Sequence, residues 1–216
     1  RAFKRNWNAK ELVMHVPVLL QPTIERLDIK EGDMVVDATL GLGGHAQEIA
    51  KHLGSPGTLI GFDADAKLLA KAKRNLADVE CRTIFINANF RDIKPVLNRE
   101  GIEKVDKVLF DLGLNSEQFE NSGRGFTFQK NESLLMTLTD KPKKDELTAG
   151  EIVNNWGEES LAGIIYGYGE ERLSRRIAKA IVSARVKKSI NTTFDLVEVI
   201  RQAVPVFYTK RRIHFA

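Results

Sequence analysis

Four places in the chain carry residue types that could do chemistry. The first is the run Gly41-Leu42-Gly43-Gly44-His45. Glycines there permit positive φ and let the backbone come close to a ligand. The second is Asp63, 22 residues after Gly41. At that spacing a carboxylate can accept hydrogen bonds from both ribose hydroxyls of an adenosine. The third is Phe90, closing the run Asn-Ala-Asn-Phe, a ring able to stack on or wall off an adenine. The fourth is Asp111, a carboxylate able to offset a sulfonium or ammonium charge where water screens poorly. Each has a plainer alternative: a tight structural turn, a core phenylalanine, or the cap of a turn or helix. A dinucleotide site would ask for Gly-x-Gly-x-x-Gly, and here the third glycine is displaced.

The elements that would carry these residues follow from hydropathy. MVVDATLGLGGHA, from Met34, reads as a buried strand running into a glycine turn, with a helix after it over His45–Leu53. TLIGFDAD is a second strand and AKLLAKAKRNL a helix. TIFINANF is a third strand ending on Phe90, followed by a helical stretch over Ile93–Arg99. VDKVLFDLG is a fourth strand, ended by Asp111. Apolar strands alternating with helices predict a parallel α/β sheet covered by helices. In such sheets ligands bind at the carboxyl edge, where all four candidate places would fall. Residues 1–113 form this half. Residues 114–147 are polar and glycine-containing, a connecting region with KPKKDE as an exposed link, and residues 148–216 read as helical. There Thr148 with Glu151, and Thr192 with Asp195, have the spacing of helix caps. Helices are expected over Glu158–Tyr168 and Glu170–Val186.

Net charge is +4, yet residues 141–216 hold 14 Lys and Arg against 9 Asp and Glu. The excess therefore sits in the second part, where it would face an anionic partner. Arg172, Arg175, Arg176 and Lys179 fall at i, i+3, i+4 and i+7, one face of the expected third helix. From Arg172 to Lys188 there are seven basic residues and no acidic one, which favours phosphate contact over a merely solvated face. Lys210, Arg211 and Arg212 add a further cluster. Phe126 and Phe128 beside Arg124 suit either stacking on an extruded base or anchoring a loop. No apolar run reaches the ~18 residues of a membrane span. A lone cysteine, Cys81, cannot close a disulfide within the chain, which fits a reducing cytoplasm. Arg1 in place of Met hints at residues missing from the front.

Taken in order, HVPVLL, DATLGLGGHA, FDAD, NF, DLGLNSEQ, RGFTF, YGEER and RRIAKAIVSAR resemble the RsmH/MraW family. The similarity runs from His15 to the last residue. It implies a Rossmann-like S-adenosylmethionine-dependent methyltransferase fold, its parallel sheet incomplete, with an inserted helical subdomain. The activity implied is N4-methylation of a decoding-centre cytidine in 16S rRNA of the small ribosomal subunit. By the same resemblance Gly43, Gly44 and His45 would hold the methionine end or backbone of S-adenosyl-L-methionine. Asp63 would hold the ribose and Phe90 would lie against the adenosine, with Asp111 and Gln118 completing the pocket. His15 also matches a family position, although the sequence alone reads it as a buried, hydrogen-bonded histidine. No proton acceptor is assigned, because Asp111-Leu-Gly-Leu-Asn-Ser stands where related N-methyltransferases carry Asp/Asn-Pro-Pro-Tyr.

Two departures from the family pattern matter. Glu132-Ser-Leu-Leu-Met-Thr-Leu138 replaces Gly-Pro-Leu-Asp-Met-Arg-Met, losing an acid and an arginine. The alternative reading this supports is a non-catalytic RNA-binding or ribosome-assembly module that keeps the fold. His214-Phe215-Ala216 resembles the start of a segment after which family members continue with a long helix and further strands. Without those strands, strand four is expected to be an exposed apolar edge and the 216-residue form unstable or inactive. A nicotinamide-dependent oxidoreductase is the competing enzyme class.

Overall fold

The computed structural model describes residues 17, 19–114, 116–139, 141–144 and 146–209. His15, Lys210, Arg211, Arg212 and the closing His-Phe-Ala lie outside them. The chain divides into two compact units, Arg1–Leu112 and Gly113–Ala216.

The first unit alternates helices α1 (Leu20–Leu27), α2 (Gly44–Leu53), α3 (Ala66–Asn75) and α4 (Ile93–Arg99) with strands β1 (Met34–Asp37), β2 (Thr58–Asp63), β3 (Arg82–Asn87) and β4 (Lys107–Leu109). The strands form a wholly parallel sheet in the order β3-β2-β1-β4, the α/β arrangement expected. Burial explains the order. Val35, Val36, Leu59, Ile60 and Phe62, on β1 and β2, are all but inaccessible, as central strands covered on both faces must be. One face packs against Ile49 and Leu53 of α2 with Leu69 and Ala72 of α3. The other packs against Val96 and Leu97 of α4. β4 is an edge strand, with Val108, Phe110 and Leu112 of its stretch exposed.

Two expected strand ends move. β3 stops at Asn87, the Ala88 amide making the last rung of the ladder to the Asp63 carbonyl. Asn89 then caps a 3-10 turn over Phe90–Asp92 by accepting from the Arg91 amide. Phe90 therefore opens a turn and does not end the strand. β4 stops at Leu109, two residues before Asp111. Helix α1, starting Leu-Gln-Pro, was not foreseen; Pro22 fits the first turn of a helix, where its missing N–H costs nothing.

The second unit holds α5 (Ser116–Asn121), α6 (Ala149–Asn155), α7 (Glu158–Gly167), α8 (Ser174–Lys187), α9 (Thr193–Ala203) and α10 (Val206–Thr209). Its core joins Val153, Leu161, Ile177, Ile181 and Ile200. Both expected capping boxes form, at Thr148/Glu151 and Thr192/Asp195. The third helix starts later than expected, at Ser174 rather than Glu170. Glu170 has φ 52, a left-handed geometry that no right-handed helix passes through, so Arg172 sits in the turn ahead of α8. The departing stretch is built into this unit. Leu134 is core, Glu132 accepts from the Gly125 amide at 2.9 Å, and the Thr193 hydroxyl joins the Glu132 amide to the Lys130 carbonyl.

Candidate functional site

The carboxyl ends of β1, β2 and β4 are drawn together by a small set of hydrogen bonds within the first unit. Where β1 ends, the Leu40 amide donates to the Phe62 carbonyl at 2.9 Å and the Gly43 amide to the Leu40 carbonyl at 2.8 Å, folding the chain back over β2. Gly41 and Gly43 have φ 55 and 88. At Gly43 a Cβ would also meet a Leu76 methyl at 3.2 Å, so conformation and space both require glycine there. Asn75, at the end of α3, fixes the turn from outside by donating to the Leu42 carbonyl at 2.9 Å.

Asp63 is half-buried at the end of β2. One carboxylate oxygen accepts from the Gly41 amide at 2.8 Å and the other from the Asp65 amide at 2.8 Å. It thus anchors the glycine turn and the start of α3 together. Asp111 follows β4, mostly exposed. Its amide donates to the Thr39 hydroxyl at 2.8 Å, tying the end of β4 to the loop after β1. Its carboxylate lies 3.6 Å from Nδ1 of His45. His45, in the first turn of α2, is buried, and its Nε2 has no partner. Burial holds its pKa below the usual histidine value, against the pull of Asp111, so the ring is neutral at pH 7. Phe90 meets Phe110 edge to face, with centroids 5.8 Å apart.

Gly43, Gly44, His45, Asp63 and Asp111 are thus brought to one strand edge, with Phe90 joined to it through Phe110, the neighbour of Asp111. Gln118 belongs to the second unit, where it is buried on α5. Arg172, Arg175, Arg176 and Lys179 are all exposed in that unit, Arg172 in the turn and the other three on α8. Arg124 is buried, its guanidinium 5.7 Å from the Phe126 centroid and donating to the Leu138 carbonyl. The loop-anchoring alternative describes that contact.

Sequence reasoning passed over Asp37. It ends β1 with 1% of its surface accessible and accepts from the Thr39 amide at 3.1 Å. Burial above all, then the charges of Asp111 and Asp63, push its carboxyl up to about 7. The available signal was an acid closing an otherwise apolar strand. Thr39 and Phe110 were also missed; a hydroxyl and a strand-end ring carry no spacing signature.

A glycine turn after the first parallel strand, an acid closing the second and another following the fourth define a Rossmann-like α/β domain of the methyltransferase kind. Similarity makes this particular. The MraW methylase family matches residues 12–216, and the chain belongs to that family. It is 42% identical to the ribosomal RNA small subunit methyltransferase H of Clostridium botulinum (strain 657 / Type Ba4), covering 91% of this chain and 62% of that protein. It is 44% identical to the one of Finegoldia magna, covering 88% and 60%. With the enzyme of Clostridioides difficile (strain 630) the values are 42%, 88% and 60%. The chain therefore spans about three fifths of the length of these relatives.

Proposed function

We propose that the chain carries the cofactor-binding and RNA-contacting parts of an S-adenosyl-L-methionine-dependent methyltransferase. Its target is 16S rRNA of the small ribosomal subunit, at N4 of a decoding-centre cytidine, and it works in the cytoplasm alongside the ribosome. The reading rests on the strand edge where Asp37, Asp63 and Asp111 converge on a glycine turn.

That edge suits the cofactor chemically. The Asp63 and Asp111 carboxylates favour a cationic sulfonium and ammonium. The unpartnered Nε2 of buried His45 is a polar atom without a partner inside the protein, the kind of group a ligand satisfies. Gly43, Gly44 and His45 would hold the methionine end, Asp63 the ribose, and Phe90 the adenine side. Bound there, the cofactor supplies the methyl group. The work left to the protein is orientation, because displacement at a methyl carbon needs alignment more than acid catalysis. Asp63 fixes the turn, Thr39 sets the end of β4 against β1, and Asp111 offers acceptor oxygens for an amino proton. The basic residues of the second unit, Arg172, Arg175, Arg176 and Lys179, hold RNA phosphates.

Calorimetry with S-adenosylmethionine and with NAD tests the cofactor; binding of NAD alone would reverse the reading. Asp63→Ala is expected to weaken cofactor binding by removing charge-assisted hydrogen bonds worth about 1.5–3 kcal/mol each. Unchanged affinity would take Asp63 out of the site.

A second reading, a non-catalytic RNA-binding or ribosome-assembly module, is favoured by one observation. The departing stretch 132–138 spends Glu132 and Leu134 on structure. Methyl incorporation into isolated small-subunit particles separates the two readings.

A further inference from the structure

We propose that the turn joining α7 to α8 binds unpaired RNA bases, with Tyr168 as the stacking ring and Arg172, Arg175 and Arg176 taking the neighbouring phosphates. The inference rests on the RNA reading above and adds to it the strandedness of the target and the residues that sense it.

The turn is rigid beneath the rings. The Tyr168 amide closes α7 on the Ile164 carbonyl at 3.0 Å. At Gly169 a Cβ would stand 2.7 Å from the Ile165 carbonyl oxygen, so the chain passes against its own helix. The carboxylate of Glu171 accepts from the Leu173 amide at 2.6 Å and from the Tyr208 hydroxyl at 3.0 and 3.1 Å. That acid is committed to holding the turn.

The rings themselves stay outside. Tyr168 is 91% exposed and Tyr166 64%. A single exposed aromatic needs no explanation, but Tyr168 is almost wholly open and the turn after it leads into Arg172, Arg175 and Arg176. Arg175 and Arg176 occupy the first turn of α8, which holds no acid and has no side-chain cap. Cations are disfavoured at that end, where the aligned peptide dipoles are already positive. The arrangement works against the helix and in favour of an anion approaching it. Glu170 is the one exposed acid in the turn.

Open aromatic faces beside guanidinium groups match single-stranded RNA. Its bases are free to stack on a protein ring, while those of a duplex stack on each other. Charge alone would give a surface indifferent to the bases; Tyr168 makes it sensitive to them.

The experiment measures binding of the whole chain to a uridine oligoribonucleotide of about ten nucleotides, and to an abasic ribose-phosphate strand of the same length. Salt is varied throughout. Tyr168→Ala is expected to weaken uridine binding by about 5- to 100-fold and to leave the slope of log affinity against log salt unchanged. Arg175→Ala with Arg176→Ala is expected to flatten that slope by about 0.7 for each phosphate that is no longer neutralised. Tyr168→Phe should bind as the parent does, and the abasic strand should bind the parent no better than uridine binds Tyr168→Ala. Equal binding of the two strands, or full affinity in Tyr168→Ala, overturns the stacking role and leaves the phosphate reading standing. If the parent binds neither strand, the RNA reading falls and takes this inference with it.

Discussion

Asp37 is the residue where sequence pattern and physical setting diverge most. As a letter it is one acid at the end of an apolar strand; in the fold it is a buried carboxyl with two charged neighbours of its own sign. The unfolded chain ionises it near 3.8 and the native protein near 7. Between those values the native state keeps a proton that the unfolded chain has lost. Its contribution is therefore full below about pH 4 and is lost as pH rises to about 7, with no further change above. Asp37→Asn keeps the shape and removes the titration. Denaturation midpoints of parent and variant at pH 5 and pH 8 are expected to show the variant gaining on the parent at the higher pH, by a few kcal/mol at most. A constant difference across that range would mean the carboxyl is not shifted. Asp63, by contrast, stands out in the sequence by its distance from Gly41, while its two backbone partners do not. Those hydrogen bonds give it an architectural role besides the binding role proposed for it.

The glycine of β2 shows how an element can constrain a turn at a distance. Gly61 lies mid-strand, and a Cβ there would stand 2.6 Å from a methyl of Leu40, the residue that folds the glycine turn back over β2. Gly61→Ala is expected to destabilise the first unit by about 1–3 kcal/mol through overpacking, measured by chemical denaturation; a neutral result would mean that Leu40 moves aside freely. Gly41, Gly43 and Gly44 stand out in the sequence and Gly61 does not, because a lone glycine inside a strand has no local signature. The strands and α2, α3 and α4 were readable because their apolar residues recur at the period of the element. The starts and stops were less so. Phe90 left the strand assigned to it because a main-chain turn and the Asn89 cap outweighed the apolar run. Arg172 left its helix because Glu170 adopts a left-handed geometry that periodicity cannot reveal.

For the whole molecule, the apolar edge of the sheet among the described residues lies at β4. β4 and the residues after it present Val108, Phe110 and Leu112 to water with 38%, 48% and 69% of their surfaces open, and an edge of that kind pairs readily with other chains. Val108→Lys is expected to reduce concentration-dependent association in light scattering, with little change in the unfolding midpoint. Association that persists undiminished would place the sticky surface elsewhere. Occupancy of the strand edge would also be readable from a single amide. The Gly41 N–H rests on the carboxylate proposed to receive the ribose, so a bound nucleoside would change how fast that one proton trades with deuterated solvent. A slow-exchanging glycine signal would then serve as a built-in gauge of ligand, needing neither label nor turnover.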